Sequence, residues 1–308
     1  MKNQEKNFIL VTGGAGFIGS HSVDLLLSRG FRVRVLDNLS AGRLENLPIG
    51  HPGLEFVNGD VLDTPTLHRC FSGVTHVLHL AAQVSVVRSL KEVSYSCEQN
   101  ILGFVRVLEQ SARQAVRLVY ASSAAVYGNP EYIPLYEESA VLPISPYGLE
   151  KYANELYAEL YGRLYGMKCM GLRYFNVFGP RQDPQSPYSG VISRFIHQAK
   201  SGEKLTVRGD GLQARDFIHV RDVARANVAA LLANSTGMVN IARGESITIL
   251  TLAELVQKLS GSVPQIEWVP ETIGDIRSSR ADITRMLHEL CAPEYTLRDG
   301  LSELVVQQ

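Results

Sequence analysis

The stretch that most restricts what this chain can fold into is Phe8-Ile-Leu-Val-Thr-Gly-Gly-Ala-Gly-Phe-Ile-Gly-Ser-His21. Phe8 to Val11 is an apolar run of strand length. Gly13, Gly16 and Gly19 follow at three-residue spacing. Val23, Leu25, Leu26 and Leu27 then begin a helix that stops near Arg29-Gly30. A strand, a glycine turn and a helix in this order can cradle phosphate. One glycine allows the turn, the second lets backbone approach a pyrophosphate, and the third lets helix lie on strand. The anion sits at the helix N-terminus, where free N–H groups and the dipole favour negative charge. The spacing is G-x-x-G-x-x-G rather than G-x-G-x-x-G, so the glycines need support from the rest of the chain.

That support comes in order. A second strand, Arg32 to Leu36, ends in Asp37-Asn38, with Asp37 18 positions after Gly19. A carboxylate there suits an adenosine ribose diol and repels a 2′-phosphate, which favours NAD over NADP. Leu54 to Val57 reads as a third strand running into Gly59-Asp60-Val61, with Asp60 placed to accept from an adenine amino group. His76 to Leu80 is a fourth, followed by Ala81-Ala82-Gln83, small residues that leave room for a cofactor. A long helix is expected from about Val93 to Arg113, containing Asn100 and Gly103. Arg117 to Ala121 is a fifth strand ending at Ser122-Ser123, and Tyr147 to Tyr165 reads as a helix. Met167 to Arg173 is a sixth strand. Strands alternating with helices predict an α/β fold, a Rossmann-type doubly wound parallel sheet.

After Pro180 the pattern loosens. A loop over residues 181–190 precedes a helix from Val191 to Lys200 and a short strand from Lys204 to Val207. Arg215 to Val220 is strand-like, and helices are expected over Arg221 to Leu232, Thr251 to Leu259 and Asp282 to Leu290. The expected division is a dinucleotide-binding domain over 1–176 and a smaller mixed α/β substrate lobe over 177–308, with parts of 215–245 packing back on the first.

Lys plus Arg is 30 against 31 Asp plus Glu, so no basic excess argues for nucleic acid or an anionic membrane surface. The four cysteines are scattered, with no C-x-x-C pair, which reads as free thiols in a reducing compartment and offers no metal site. No apolar run approaches a membrane span or a signal peptide. A cytoplasmic protein is expected.

Tyr147 and Lys151 form Y-x-x-x-K, and positions i and i+4 of a helix share one face. An ammonium beside a phenol favours the phenolate, so the tyrosine can act as a base below its free pKa of about 10. Alone the pair is only two neighbours on a helix. With the glycine turn, Asp37 and a strand ending in serines before it, the pair reads as catalytic. Ser123 can bond both phenol and substrate hydroxyl, or simply cap a turn.

At this point the chain resembles the extended short-chain dehydrogenase/reductase family, in particular its nucleotide-sugar epimerases. The matching stretches are Thr12-Gly-Gly-Ala-Gly-Phe-Ile-Gly19, Asp37-Asn38-Leu39-Ser40, Gly59-Asp60, Leu80-Ala-Ala-Gln83, Ser122-Ser-Ala-Ala-Val-Tyr-Gly128, Tyr147-x-x-x-Lys151, Arg173-Tyr-Phe-Asn-Val-Phe-Gly-Pro-Arg181 and Arg215-Asp-Phe-Ile-His-Val220. The resemblance implies Ser123, Tyr147 and Lys151 as the catalytic trio. It implies dinucleotide contacts at Gly13, Gly16, Phe17, Ile18, Gly19, Asp37, Asn38, Ser40, Gly42, Asp60, Val61, Leu80, Ala81, Ala82, Gln83 and Asn100. Tyr147 and Lys151 belong to that cofactor set too, with Tyr174 and Phe175 at the nicotinamide end. For a UDP-sugar it implies Ser85, Ser123, Tyr147, Asn176, Val191, Val207, Arg215, Arg277 and Ser279. Arg215 and Arg277 suit the diphosphate, since a guanidinium forks onto such oxygens. The family also implies a homodimer through the helices near Val93–Arg113 and Tyr147–Tyr165.

The reaction narrows on what is missing. Family members that eliminate water or carbon dioxide carry an acid just after the catalytic serine or threonine; here Ala124 and Ala125 follow Ser123. That favours an NAD-dependent 4-epimerase: oxidation at C4, rotation of the 4-keto sugar and re-reduction on the other face. Ser279 aligns with the position that gates the sugar pocket, and a small residue there admits an N-acetyl group. The expected substrates are UDP-N-acetylglucosamine and its galacto epimer. The alternatives are a UDP-glucose or UDP-glucuronate 4-epimerase, then a net reductase or a non-catalytic NAD-binding regulator.

Overall fold

The structure, a computed structural model, describes residues 7–183, 190–261, 265–271 and 276–306. The expected loop across 184–189 and the Gly274-Asp275 pair beside the Ser279 stretch lie outside the described residues.

The first strand decides how both faces of the molecule are built. In β1 (Phe8–Thr12) successive side chains alternate sides. Ile9 and Val11 enter one core and Phe8 and Leu10 the other, so the strand is buried on both faces, as a central parallel strand must be. The glycine turn leads into α1 (Phe17–Ser28). Then come β2 (Arg32–Asp37), β3 (Leu54–Asn58), α2 (Thr64–Cys70) and β4 (His76–His79). Next are α3 (Val86–Lys91), α4 (Val93–Cys97), α5 (Gly103–Arg113), β5 (Arg117–Ser123), α6 (Pro146–Tyr165) and β6 (Cys169–Tyr174). The second half holds β7 (Asn176–Phe178), α7 (Val191–Lys200), β8 (Leu205–Arg208), β9 (Ala214–His219), α8 (Val220–Leu232) and β10 (Gly237–Ile241). It continues with β11 (Ser246–Thr248), α9 (Ile249–Ser260), β12 (Ile266–Val269), α10 (Thr284–Glu289) and α11 (Leu297–Val306).

Seven strands form one sheet in the order β10-β6-β5-β4-β1-β2-β3, every neighbouring pair parallel. This is the Rossmann-type doubly wound sheet that the alternation predicts. The winding reverses between β1 and β4, which opens a crevice at the carboxyl ends of those strands. One face is covered by residues of α1 and α8, the other by α2, α5 and α6. Beyond β6 the chain forms two small sheets and a separate core, which together make the smaller lobe. It pairs β11-β9-β7 and β12-β8 and has its own core beneath α7, α9 and α11.

Two differences from the sequence pattern have physical reasons. The long helix from Val93 is interrupted by a π turn over Glu98–Leu102, carrying Asn100 at its centre. The strand β10 was not expected because Asn240 breaks its apolar run. Asn240 is fully buried and its amide is satisfied, by the Tyr127 hydroxyl at 2.7 Å and the Leu135 carbonyl at 3.0 Å.

Candidate active site

The glycine turn holds a cradle that side chains would fill. Gly13 sits at φ +70, where L-residues are strained, and a Cβ there would lie 2.7 Å from the Ala81 nitrogen. A Cβ on Gly19 would lie 2.1 Å from the Gly13 carbonyl. The α1 N-cap is Gly16, with no side chain bonded to the first-turn amides. Those amides, beside Phe17 and Ile18, are free for an anion. The cradle therefore fits a dinucleotide pyrophosphate.

Asp37, at the end of β2, is buried and accepts from the Ala15 amide at 2.9 Å and the Leu39 amide at 2.8 Å. A carboxylate has about four lone-pair directions, so two remain for a ribose diol. Gly42 lies against it, a Cβ there falling 3.0 Å from Asp37 Oδ1. Asn38 accepts from the Ser40 amide at 3.0 Å and donates to Asp60 at 2.8 Å. Asp60 also accepts from the Leu62 amide, so any adenine amino group shares a carboxylate already holding two donors. Val61 is buried beneath Gly103.

Leu80, Ala81 and Ala82 follow β4 at the mouth of the cradle, partly exposed. Gln83 is buried, and its backbone is held at both groups by the Asn100 side chain, at 2.8 and 2.9 Å. Asn100 thus reaches the site through Gln83. The Tyr174 phenol bonds Asn227 of α8 at 2.7 Å and sits in the sheet core, with its pKa well above the usual value through burial. Phe175 packs near Tyr127.

The proposed trio converges. Ser123 ends β5, and Tyr147 and Lys151 project from the first turns of α6, whose N-cap Ser145 accepts from the Gly148 amide. Ser123 Oγ accepts from the Ala125 amide at 3.1 Å, so it caps a turn, and the same hydroxyl is near enough to the Tyr147 phenol to lower its pKa. The Lys151 ammonium lies 5.7 Å from the Tyr147 ring centroid and donates to the Ala121 carbonyl at 3.0 Å. Burial pushes the Tyr147 phenol up to about 12; the Ser123 hydroxyl pulls it down and Glu150 raises it further. Burial also draws Lys151 down to about 8, against Glu150. Spacing alone suggested that Lys151 sets the phenol's acidity; in this protein dehydration is the larger effect.

The substrate residues are less tightly gathered. Ser85 caps α3 and is buried. Asn176 donates to the Asp216 carbonyl at 3.1 Å. Val191 opens α7, partly exposed, whereas Val207 is fully buried in the lobe core and paired with β12, so the structure does not bring it to an open site. Arg215 donates to the Ala214 carbonyl. The Arg277 fork grips the Asp210 carboxylate at 2.8 Å on both arms, which holds Asp210 down at about 2. Ser279 is buried, and its hydroxyl has no partner among the described residues. Sequence reasoning missed Asp216 as the organiser of this wall. Its carboxylate accepts from the Arg243, Gly244 and Ala281 amides and so fixes the segment carrying Arg277 and Ser279. The only signal for it was its place beside Arg215. Among the described residues no group of His, Cys, Asp or Glu could hold a metal ion, and no helix is long and apolar enough to cross a membrane.

A family model described as the NAD dependent epimerase/dehydratase family matches residues 9–242. A putative UDP-glucose 4-epimerase of Methanocaldococcus jannaschii is 39% identical over 300 residues, covering 96% of this chain and 97% of that protein. UDP-glucuronic acid decarboxylase 1 of Danio rerio is 34% identical, covering 99% of this chain and 73% of that protein. Among solved structures, the UDP-N-acetylglucosamine 4-epimerase from Methanobrevibacter ruminantium M1, in complex with UDP-N-acetylmuramic acid, matches at a TM-score of 0.95. It is 38% identical, and the match covers 98% of this chain and 97% of the other.

Proposed function

Because the chain belongs to the NAD-dependent epimerase/dehydratase family, we propose that it is a UDP-hexose 4-epimerase acting on UDP-N-acetylglucosamine and its galacto epimer. It is an isomerase that uses NAD. The observation that carries the 4-epimerase reading is the turn after Ser123. Ala124 and Ala125 begin a 3-10 helix there, so the position beside the serine offers methyl groups and no proton donor. A site with Ser123, Tyr147 and Lys151 but no acid in that turn can take and return a proton at C4, yet has nothing there to drive elimination. That supports the epimerase reading over a decarboxylase one.

NAD, when bound, supplies a reversible two-electron acceptor for C4. The C4 hydroxyl proton passes to Tyr147, directly or by way of the Ser123 hydroxyl beside it. Lys151, held by the Ala121 carbonyl, adds positive charge to the same small volume. The diphosphate, held by Arg215 with Arg277 alongside, is the pivot about which the keto sugar turns its other face to the site. Tyr147 then returns the proton.

The buried, partnerless hydroxyl of Ser279 supports the acetamido-sugar preference, because a small side chain leaves the room that an aromatic one would occupy. The glucose-type reading is the second, and the Methanocaldococcus relative supports it. We also read the enzyme as a homodimer, as α6 exposes Leu149, Leu156, Tyr157, Leu160 and Leu164. Purified protein should convert UDP-N-acetylglucosamine to its 4-epimer faster than UDP-glucose, and Tyr147→Phe should abolish conversion. No 4-epimer from UDP-N-acetylglucosamine, UDP-glucose or UDP-glucuronate would sink the reading.

A further inference from the structure

Behind the Tyr147–Lys151 pair lies a carboxylate that neither the cofactor cradle nor the proton path uses. Glu150 is three positions after Tyr147 and directly before Lys151 on α6, and it is 3% exposed. Its Oε2 accepts from Ser96 Oγ of α4 at 2.8 Å and from Asn100 Nδ2 of the π turn at 2.6 Å. Asn100 holds both backbone groups of Gln83, and Gln83 Nε2 returns to Ser96 Oγ at 3.1 Å. Asn154, one turn further along α6, donates to the Asn100 carbonyl at 3.1 Å. The circuit joins the loop after β4, α4, the π turn and α6. A π turn is a local widening that recurs at functional sites, and here it carries the one side chain that closes the circuit.

We propose that Glu150 is a positioning residue for Tyr147 and Lys151: its carboxylate locks the Ala81–Gln83 loop to their helix and supplies the negative charge that a dry lysine needs. The inference rests on the epimerase reading. The charge acts on both partners, opposing the burial that draws Lys151 down and adding to the burial that pushes Tyr147 up. The other ionisable groups facing this spot do not compete. His79 of β4 is held down at about 3 by burial and by Lys151, and so is neutral, and Glu155 of α6 is paired with Arg173. Glu150 Oε1, buried as well, has no partner among the described residues, so Ser96 and Asn100 on Oε2 are the donors seen on this carboxylate.

Glu150→Gln keeps the size and one acceptor but removes the charge. The expected result is a kcat about tenfold lower at neutral pH, with KM for the UDP-sugar within roughly twofold. The alkaline limb of the kcat–pH profile should move down by about one pH unit, because Lys151 then loses its proton earlier. In the cofactor-free protein, the rise of stability with pH that Lys151 contributes should begin about one unit lower. Glu150→Asp, which keeps the charge, should restore the limb. A limb and a stability curve that stay in place in Glu150→Gln overturn the proposal. So does failure of both variants to fold, which would assign Glu150 to the core alone. The stability curve needs neither substrate nor turnover, whereas failure of the epimerase reading appears as an inactive parent protein.

Discussion

Tyr147 and Lys151 occupy one turn of helix, and burial moves them in opposite senses, the phenol to about 12 and the ammonium to about 8. For Lys151 the sign of the pH effect follows directly. The unfolded chain holds this proton up to 10.5 and the folded one only to about 8. Between those values the unfolded state binds more protons, so stability rises with pH and levels off above the upper one. In cofactor-free protein this contribution should amount to about 2 kcal/mol between pH 7.5 and 9.5, read as the difference between the parent and Lys151→Met in urea midpoints. An equal slope in both would remove Lys151 as its source. Ser279→Tyr tests the sugar pocket: turnover of the N-acetylated pair should fall at least about a hundredfold while glucose turnover persists, since closing a pocket excludes bulk. At this scale the sequence marked Ser123, Tyr147 and Lys151 as a candidate trio through the family resemblance, and the fold brings the three side chains to one place. The partners of the site residues were not legible. Nothing in the order of residues places Asp210 in the fork of Arg277, or the Gln83 backbone on Asn100, because those contacts join segments far apart in the chain.

α6 was readable to within a residue at its start and to its last residue, because a Ser-Pro start and a Gly166 stop bracket an unbroken helical run. What the helix does inside the fold was not readable. Glu155 lies 2.7 Å from Arg173 of β6, both almost fully buried, and nothing in the sequence marks the pairing. Arg173 also donates to the Tyr127 hydroxyl at 2.8 Å, which connects the helix to β10 through Asn240. Removing one member of a buried pair strands the other charge. Glu155→Ala should therefore destabilise the protein by about 3–5 kcal/mol, measured by urea unfolding; a loss under about 1 kcal/mol would mean that the pair behaves like a surface bridge. The π turn escaped for the opposite reason. Its residues are ordinary helix formers, and only the tertiary pull of Gln83 and Glu150 on Asn100 accompanies the break in the pattern.

For the whole molecule, the alternation of strands and helices carried the large sheet as far as β6, and there the sequence pattern ended. Its last strand is β10, which the chain reaches only after building β7, α7, β8 and β9 of the lobe. The exposed leucines of α6 suit a partner helix face, so Leu156→Glu with Leu160→Glu should convert a dimer to a monomer in sedimentation velocity; a parent that sediments as a monomer would refute the homodimer. The placing of β10 has a consequence for synthesis. As the chain leaves the ribosome, β6 emerges with one edge open, and the strand that covers it is 63 residues behind, from Tyr174 to Gly237. An open edge accepts any strand, and synthesis at about 5–20 residues per second leaves it open for several seconds. The nascent protein is thus most vulnerable to mispairing after Tyr147 and Lys151 have been made but before its sheet can close, a window in which chaperones would have their greatest effect on yield.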